Sequence, residues 1–367
     1  MNSIYRTIGS LVFISLLLSC SPSKKDNNLA FIDIPVEAAK EIKLSTVAME
    51  VDSIALETLE NNLISRVINV VHNDGSLFVG DINALFKFTW EGKFIKQIGS
   101  IGQGPGEYLN VSDIALDKEK GYIYLASNLS QKIVCYDTDG NFIRETKVIG
   151  LNGVKLLAGS LYCIFTQHRG SATDKTKWFN DAYLIKFNQD FIATDTVLIK
   201  SVKANKGTAS ISDWTGDRII SEVNGEIYVY MNEVMKEPFV RDTLFKVKHG
   251  EKTASLKLNF GITNPMEEHL FVKSILRTEN HLLIDFSVES YSGISVVELT
   301  GKKVNIAKGF FLDDVWNTGF TRLMPWNLAN EEFYFMKESM ELAAVFDDIK
   351  GEENPILFIV ELKTGFL

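Results

Sequence analysis

Cysteine is almost missing from this 367-residue chain, which holds only Cys20, Cys135 and Cys163. A disulfide framework is therefore excluded as the basis of its fold. Histidine is nearly as scarce: His72, His168, His249, His269 and His281 are scattered, and Glu267-Glu268-His269 is not a zinc-binding His-Glu-x-x-His helix. No Gly-x-Ser-x-Gly elbow supplies a nucleophile. The glycine-rich string Gly99 to Tyr108 (GSIGQGPGEY) lacks the Gly-Lys-Ser/Thr ending of a phosphate loop and reads instead as a tight passage between strands. Positive charge is also in deficit, with 38 Lys and Arg against 47 Asp and Glu, a net of -9. With no basic run interleaved with aromatics to offset it, this charge excludes nucleic acid as a partner.

Long apolar runs are missing except at the start. Ile8 to Leu18 is an apolar stretch of 11 residues, too short to span a bilayer. It follows Arg6 and ends in Leu17-Leu18-Ser19-Cys20, the layout of a secretory signal with a bacterial lipoprotein cleavage site. Residues 1–19 are expected to be removed, Cys20 to be acylated, and residues 20–45 to form a tether beginning with the polar run Ser21 to Asn28. Loss of Arg6 takes the mature side chains to 37 positive and 47 negative groups, a net of -10.

Helical periodicity is confined to Val36 to Ile42 and Glu338 to Asp348. Almost everything else is one recurring pattern: a short apolar strand, a glycine or asparagine turn, and a partner strand. The second strands of the units read Leu77–Asp81, Tyr122–Ser127, Leu161–Thr166, Glu226–Met231, His281–Phe286 and Glu332–Lys337. Their partners end at Phe88, Tyr136, Phe187, Val247, Leu299 and Leu362, at spacings of 48, 51, 60, 52 and 63 residues. Units of four strands at this period predict an all-β, six-bladed β-propeller over residues 46–367. Cys135 and Cys163 fall inside strands of adjacent units, where each is expected as a small apolar filler, although an exported chain could also pair them.

The last unit has no residues left for an outer strand after Lys363. Thr46 to Glu57 (TVAMEVDSIALE) alternates correctly and is expected to fill that place and close the ring. Antiparallel order then sorts the connections. The turns after first and third strands are short and share one face; the long connections share the other. The long set is Gly99–Val111, Gln167–Asp181, Ser201–Asp217, Asn232–Arg241, Phe260–Leu270, Asp313–Phe320 and Glu338–Asn354. Long loops carry function more often than tight turns, so Gln103, Tyr108, His168, Arg169, Trp178, Trp214, Arg241 and Trp316 are the candidate ligand-binding residues. Each has a competing role in loop packing or blade contact. Asn69, Asp113 and Glu222 on inner strands are candidate calcium ligands, as are the pairs Asp313-Asp314 and Asp347-Asp348, which also read as ordinary loop charges.

The strings IALETLENNLISRV, IGSIGQGPGEY followed by SDIALD, the pair GKFIKQIG and GNFIRET, RDTLFKV, and ENPILFIVELK resemble the six-bladed β-propeller lipoproteins of Bacteroidota-type envelopes, relatives of NHL-repeat propellers. The resemblance runs from Ser53 to Lys363 and transfers no catalytic residue. It implies an envelope lipoprotein, and Lys24-Lys25 in place of an acidic cluster after Cys20 points to an outer-membrane anchor facing the periplasm. The expected function is non-enzymatic binding or scaffolding of a glycan, peptide or envelope protein, without a cofactor. The competing expectation is a calcium-dependent hydrolase, lactonase or lyase with its site at the channel mouth.

Overall fold

The alternating apolar runs form antiparallel hairpins, and the hairpins form six four-stranded blades around a central axis. The computed structural model describes residues 29–208, 216–233, 239–264, 267–343, 345–346 and 349–365. From the inner strand outward, blade one is Val67–His72, Ser76–Asp81, Ala84–Thr89 and Phe94–Ile98. Blade two is Asp113–Asp117, Tyr122–Ser127, Lys132–Asp137 and Phe142–Lys147; blade three is Leu151–Leu157, Ser160–Gly170, Lys177–Phe187 and Ala193–Asn205. Blade four is Ile220–Val223, Glu226–Val229, Thr243–Lys248 and Glu251–Asn259; blade five is Phe271–Arg277, His281–Val288, Tyr291–Glu298 and Lys303–Lys308.

Blade six takes Met324–Asn327, Glu332–Lys337 and Ile356–Leu362 from the end of the chain and its outer strand, Ala48–Ala55, from the beginning. The register runs from Ala48 opposite Leu362 to Ala55 opposite Ile356. Beyond it the chain is latched to blade one. Glu57 N–H donates to the Gly92 carbonyl at 2.8 Å, and Phe94 N–H donates to the Glu57 carboxylate at 2.9 Å. Gly92 has φ +82°, and a Cβ there would lie 2.0 Å from the Ala55 carbonyl oxygen, so no other residue fits.

The N-terminal segment is longer in structure than its sequence suggests. Ala30–Asp33 adds a fifth, parallel strand to the outer edge of blade four, from Ala30 opposite Leu256 to Asp33 opposite Asn259. Ile32, Ile34, Ile42 and Leu44 are buried, so the tether expected over residues 20–45 gives way to folded chain from Ala30 onward. The helical expectations shrink to a 3-10 turn at Val36–Ala38 and one helical turn at Ser339–Leu342.

The buried side chains fall into clusters between blades, because a blade in a ring is covered on both faces and each strand alternates between two neighbours. Leu77 and Val79 pack toward blade six while Phe78 packs toward blade two. Ile123 and Leu125 face blade one, while Tyr124 and Ala126 face blade three. Cys135 and Cys163 meet in the cluster between blades two and three as free, buried thiols, pushed up by burial to about 11 and about 12.

Buried carboxylates hold the connections. The Asp81 carboxylate accepts the N–H of Ser65 at 2.8 Å, of Arg66 at 2.6 Å and of Asn83 at 2.9 Å, plus the Ser65 hydroxyl at 2.9 Å. Asp81→Ala orphans these donors and should cost about 2–4 kcal/mol in urea unfolding, with Asp81→Asn costing less; a loss under about 0.5 kcal/mol would contradict this account. A chain begun at Ser65 lacks both rim strands. Its melting midpoint should fall by at least about 10 °C, and an unchanged midpoint would mean that Ala48–Ala55 does not close the ring.

Candidate functional site

Gln167 to Asp181 is not a loop. The second and third strands of blade three run on past the ring, pairing as far as Gly170 opposite Trp178, and the outer strand follows them to Asn205 opposite Lys177. The result is a three-stranded arm on the long-loop face, closed by Ser171 to Thr176. His168 pairs with Asn180, which makes it a diagonal neighbour of Trp178, and the two rings stack with centroids 4.1 Å apart and planes within 4°. The Trp178 indole N–H and the Asn180 amide both donate to the Thr208 carbonyl, at 2.9 and 3.1 Å. Arg169 lies over Phe179 at 4.5 Å, and its Nε donates to the buried Asp181 carboxylate at 2.7 Å. Three of the candidate residues, His168, Arg169 and Trp178, thus share one preorganised element.

The other candidates are dispersed. Gln103 is exposed at the edge of a separate cleft of about 550 Å³, lined also by Leu109, Leu129, Lys132 and Glu145. Tyr108 is fully buried; its hydroxyl accepts the Leu85 N–H at 3.1 Å and donates to the Ile98 carbonyl at 2.9 Å, so it serves packing between blades one and two. Trp316 donates its indole N–H to the Val51 carbonyl at 3.1 Å and packs on Phe358 at 5.8 Å, which clamps the closing strand. Arg241 is half-buried with its guanidinium over Phe239 at 5.5 Å, and its carbonyl accepts the Tyr230 hydroxyl at 3.0 Å. Trp214 lies outside the described residues.

The candidate calcium ligands do not converge. Asn69 and Asp113 are both buried and bonded to each other at 2.8 Å, and the other Asp113 oxygen accepts the Val154 N–H at 3.1 Å, joining the inner strands of blades one, two and three. Glu222 sits apart, accepting the Ala158 N–H of a short turn at 2.7 Å. Asp313 accepts the N–H groups of Val315, Trp316 and Thr318, and Asp314 accepts the N–H and hydroxyl of Ser45. Asp347-Asp348 lies outside the described residues. Among the described residues no cluster of three or more His, Cys, Asp or Glu side chains is arranged for a metal ion.

Charge is concentrated beneath the long-loop face. Lys200 and Glu233 form a fully buried pair at 2.8 Å, and Asp285 is paired with Arg322 and lies 3.7 Å from Lys273. Burial still pushes the Asp285 carboxyl above its ordinary range, which measures how far these groups are removed from water. The space beside Asp285 is about 10 Å³, room for no more than one water.

The opposite mouth of the channel, on the short-turn face, is open. A pocket of about 160 Å³ is lined by the ends of four inner strands: Val71 and His72 of blade one, Ile114 to Leu116 of blade two, Lys155 and Leu156 of blade three, Trp326 and Asn327 of blade six, together with Lys118 from the following turn. His72 stacks on Trp326 at 4.6 Å and 8°, with Trp90 at 5.3 Å from the imidazole. Burial, with Lys118 nearby, lowers the His72 pKa to about 4. Sequence reasoning missed this pocket because none of its residues lies in a long loop. His72, Lys155 and Trp326 lie toward the short-turn ends of the inner strands of blades one, three and six, at different positions in each, so no repeated sequence signal marks them.

A solved structure shares the architecture. A presumed exported protein from Bacteroides fragilis superposes with a TM-score of 0.64 at 18% identity, over 91% of this chain and 100% of that one. A member of the DUF4221 family from Bacteroides vulgatus gives a TM-score of 0.47 at 11% identity, over 86% and 97%. The first likeness shows the fold alone, and the second carries no argument. Among curated proteins none matches this sequence. The family described as "Domain of unknown function (DUF4934)" matches residues 29–361, and the chain belongs to that family.

Proposed function

We propose that this protein is an exported, Cys20-anchored lipoprotein that acts as a non-enzymatic binding propeller, engaging another envelope protein or a peptide through its long-loop face. The observation that carries this reading is the blade-three arm, which sets a stacked His168–Trp178 pair and the Arg169–Asp181 ion pair on paired strands. Exposed apolar side chains occupy the same face: Ile101, Leu129, Ile149, Phe239 and Met340, with Ile149 82% and Met340 78% exposed. Aliphatic groups of this kind favour a protein surface over a glycan. Asn69 and Asp113 are bonded to each other while Glu222 lies apart at the Ala158 turn, which gives no support to a calcium site built from these three residues.

The leader sequence supports export. The geometry of the first strand adds orientation. Ala30–Asp33 runs parallel to Glu251–Asn259, which rises from a short turn toward the long-loop face, so the chain enters the ring from the short-turn side. Residues 21–29 span at most about 30 Å, and an anchor at Cys20 would hold the short-turn face toward the membrane and leave the long-loop face free.

Two measurements test this. Labelled palmitate should enter the wild-type chain and not Cys20→Ala, which should leave the membrane fraction; label retained by the variant would rule out the anchor. A photo-crosslinking residue at Leu129 or Ile149 should give one discrete adduct in intact envelopes, whereas the same residue at Phe142 or Ile192 on the short-turn face should give none. Arg169→Ala with Trp178→Ala should reduce that adduct at least tenfold, about 1.4 kcal/mol, while the chain remains folded with a lowered melting midpoint, because the buried Asp181 carboxylate loses its Arg169 partner. Equal adducts on both faces would exclude the assigned surface.

A further inference from the structure

The blade-three arm has two unlike faces. Its register puts His168, Asn180 and Val202 on one side, with Gly170, Trp178 and Ala204 beside them, and Asn180, Val202 and Ala204 are buried there. The other side carries Gln167, Arg169, Phe179, Ser201 and Lys203, all exposed except the half-buried Phe179. Positive charge gathers on this element. Residues 167–181 and 201–206 hold five cations, Arg169, Lys175, Lys177, Lys203 and Lys206, against two carboxylates, Asp174 and Asp181, a net of +3 in a chain whose net charge is -9. Both carboxylates are already engaged. Asp181 is buried and accepts the Arg169 Nε–H at 2.7 Å and the Ser201 hydroxyl at 2.5 Å. Asp174 accepts the Thr176 hydroxyl at 2.6 Å and N–H at 2.9 Å, and these bonds, with Lys203 and Lys177 nearby, hold its carboxyl below the ordinary range. Lys175, Lys203 and Lys206 are exposed and enter no ion pair among the described residues. The Lys206 N–H donates to the Thr176 carbonyl at 2.8 Å, which holds Lys206 at the hairpin that carries Lys175.

The outer strand of the arm is paired on one side only. Ser201 to Asn205 borders Lys177 to Asp181, and among the described residues nothing pairs with its other edge. An open edge is a template for one more strand, and this chain fills such an edge itself where Ala30–Asp33 adds to blade four. We infer that the arm seats an acidic, extended segment of the partner protein along the edge Ser201 to Asn205, with its carboxylates facing Lys203, Lys206 and Lys175. The kind of partner rests on the function proposed above; the chemistry of the docking segment is added by the arm. Lysine on an open edge repels a basic strand and leaves an apolar one without a match, so the edge is selective rather than adhesive. Opposite charges set directly across two strands are favourable, and the acidic remainder of the chain repels such a segment from other surfaces. The backbone edge selects a peptide over an anionic glycan or membrane surface, because a peptide alone supplies N–H and C=O groups at strand spacing.

A labelled oligoglutamate peptide is the probe, titrated into the purified full chain and followed by fluorescence anisotropy. Saturable binding is expected, weakening as salt is raised, with oligoglutamine at least about tenfold weaker. Lys175→Glu with Lys203→Glu, both at exposed positions, should weaken oligoglutamate at least about tenfold with a melting midpoint within a few degrees of wild type. Lys96→Glu, the same charge change at an exposed position on the outer strand of blade one, should leave the affinity within about twofold. Oligoglutamate methylated on its peptide nitrogens keeps the charge but loses the backbone donors, and should bind at least about fivefold weaker; this comparison uses the wild-type chain and holds whether or not the variants fold. The inference is overturned if oligoglutamate shows no saturable binding, if the methylated peptide binds equally well, if oligogalacturonate or phosphatidylglycerol vesicles bind as tightly as the peptide, or if the double substitution leaves the affinity unchanged. Envelope adducts at Leu129 or Ile149 without peptide binding would remove the acidic segment and leave the proposed partner surface standing; peptide binding without any adduct would do the reverse.

Discussion

Every blade in this ring is a sheet covered on both faces, and that constraint governs the rest of the molecule. An isolated sheet can leave one face to water, but here each strand must satisfy two different neighbours with alternate residues. Ile227 and Val229 serve blade three while Tyr228 and Tyr230 serve blade five; Phe333 and Phe335 serve blade five while Tyr334 serves blade one. A one-residue slip in any strand would exchange the two interfaces. The last interface can form only if the two ends of the chain meet, which is why Ala48–Ala55 lies beside Ile356–Leu362 and is latched onward to blade one.

Packing of this kind leaves few places for polar groups, and the buried ones are committed to holding connections in place. Asp81, Asp113 and Asp313 accept backbone N–H groups at blade entrances and loops. Glu331 joins the short turns of blades five and six: burial alone would raise its pKa, yet hydrogen bonds from His281, Thr278 and Asn280 hold it below the ordinary range. Acidic residues that resemble metal ligands in the sequence are thus consumed by the backbone. The candidate recognition groups His168, Arg169 and Trp178 stand on the blade-three arm, on the long-loop face.

Much of this was legible from particular residues. Tyr122–Ser127 and Glu332–Lys337 are strands with the bounds the alternation indicated, and Thr46 to Glu57 contains the closing strand. The arm was less legible because Gln167 to Asp181 loses its apolar alternation once it leaves the ring: its His168 and Arg169 are exposed to water, and strand pairing there is held by cross-strand contacts that no local pattern encodes. Tyr108 and Trp316 illustrate the reverse error. Both look like surface aromatics in loops, yet each turns its polar atom to a distant carbonyl, Ile98 for the tyrosine and Val51 for the tryptophan.

Sequence by itself determined the class of fold, the number of blades, the alternation that loads both faces of each sheet, and the segregation of long connections to one side. These follow from local period and turn chemistry, which act over a few residues and repeat. Tertiary structure decided what local period cannot carry: that Ala30–Asp33 joins blade four, that Asn69 and Asp113 bond to each other, and that His72 and Trp326 stack although they stand 254 positions apart in the sequence. Ring closure is the physical reason. It brings the first and last blades together and makes neighbours of residues whose separation along the chain carries no signal of contact.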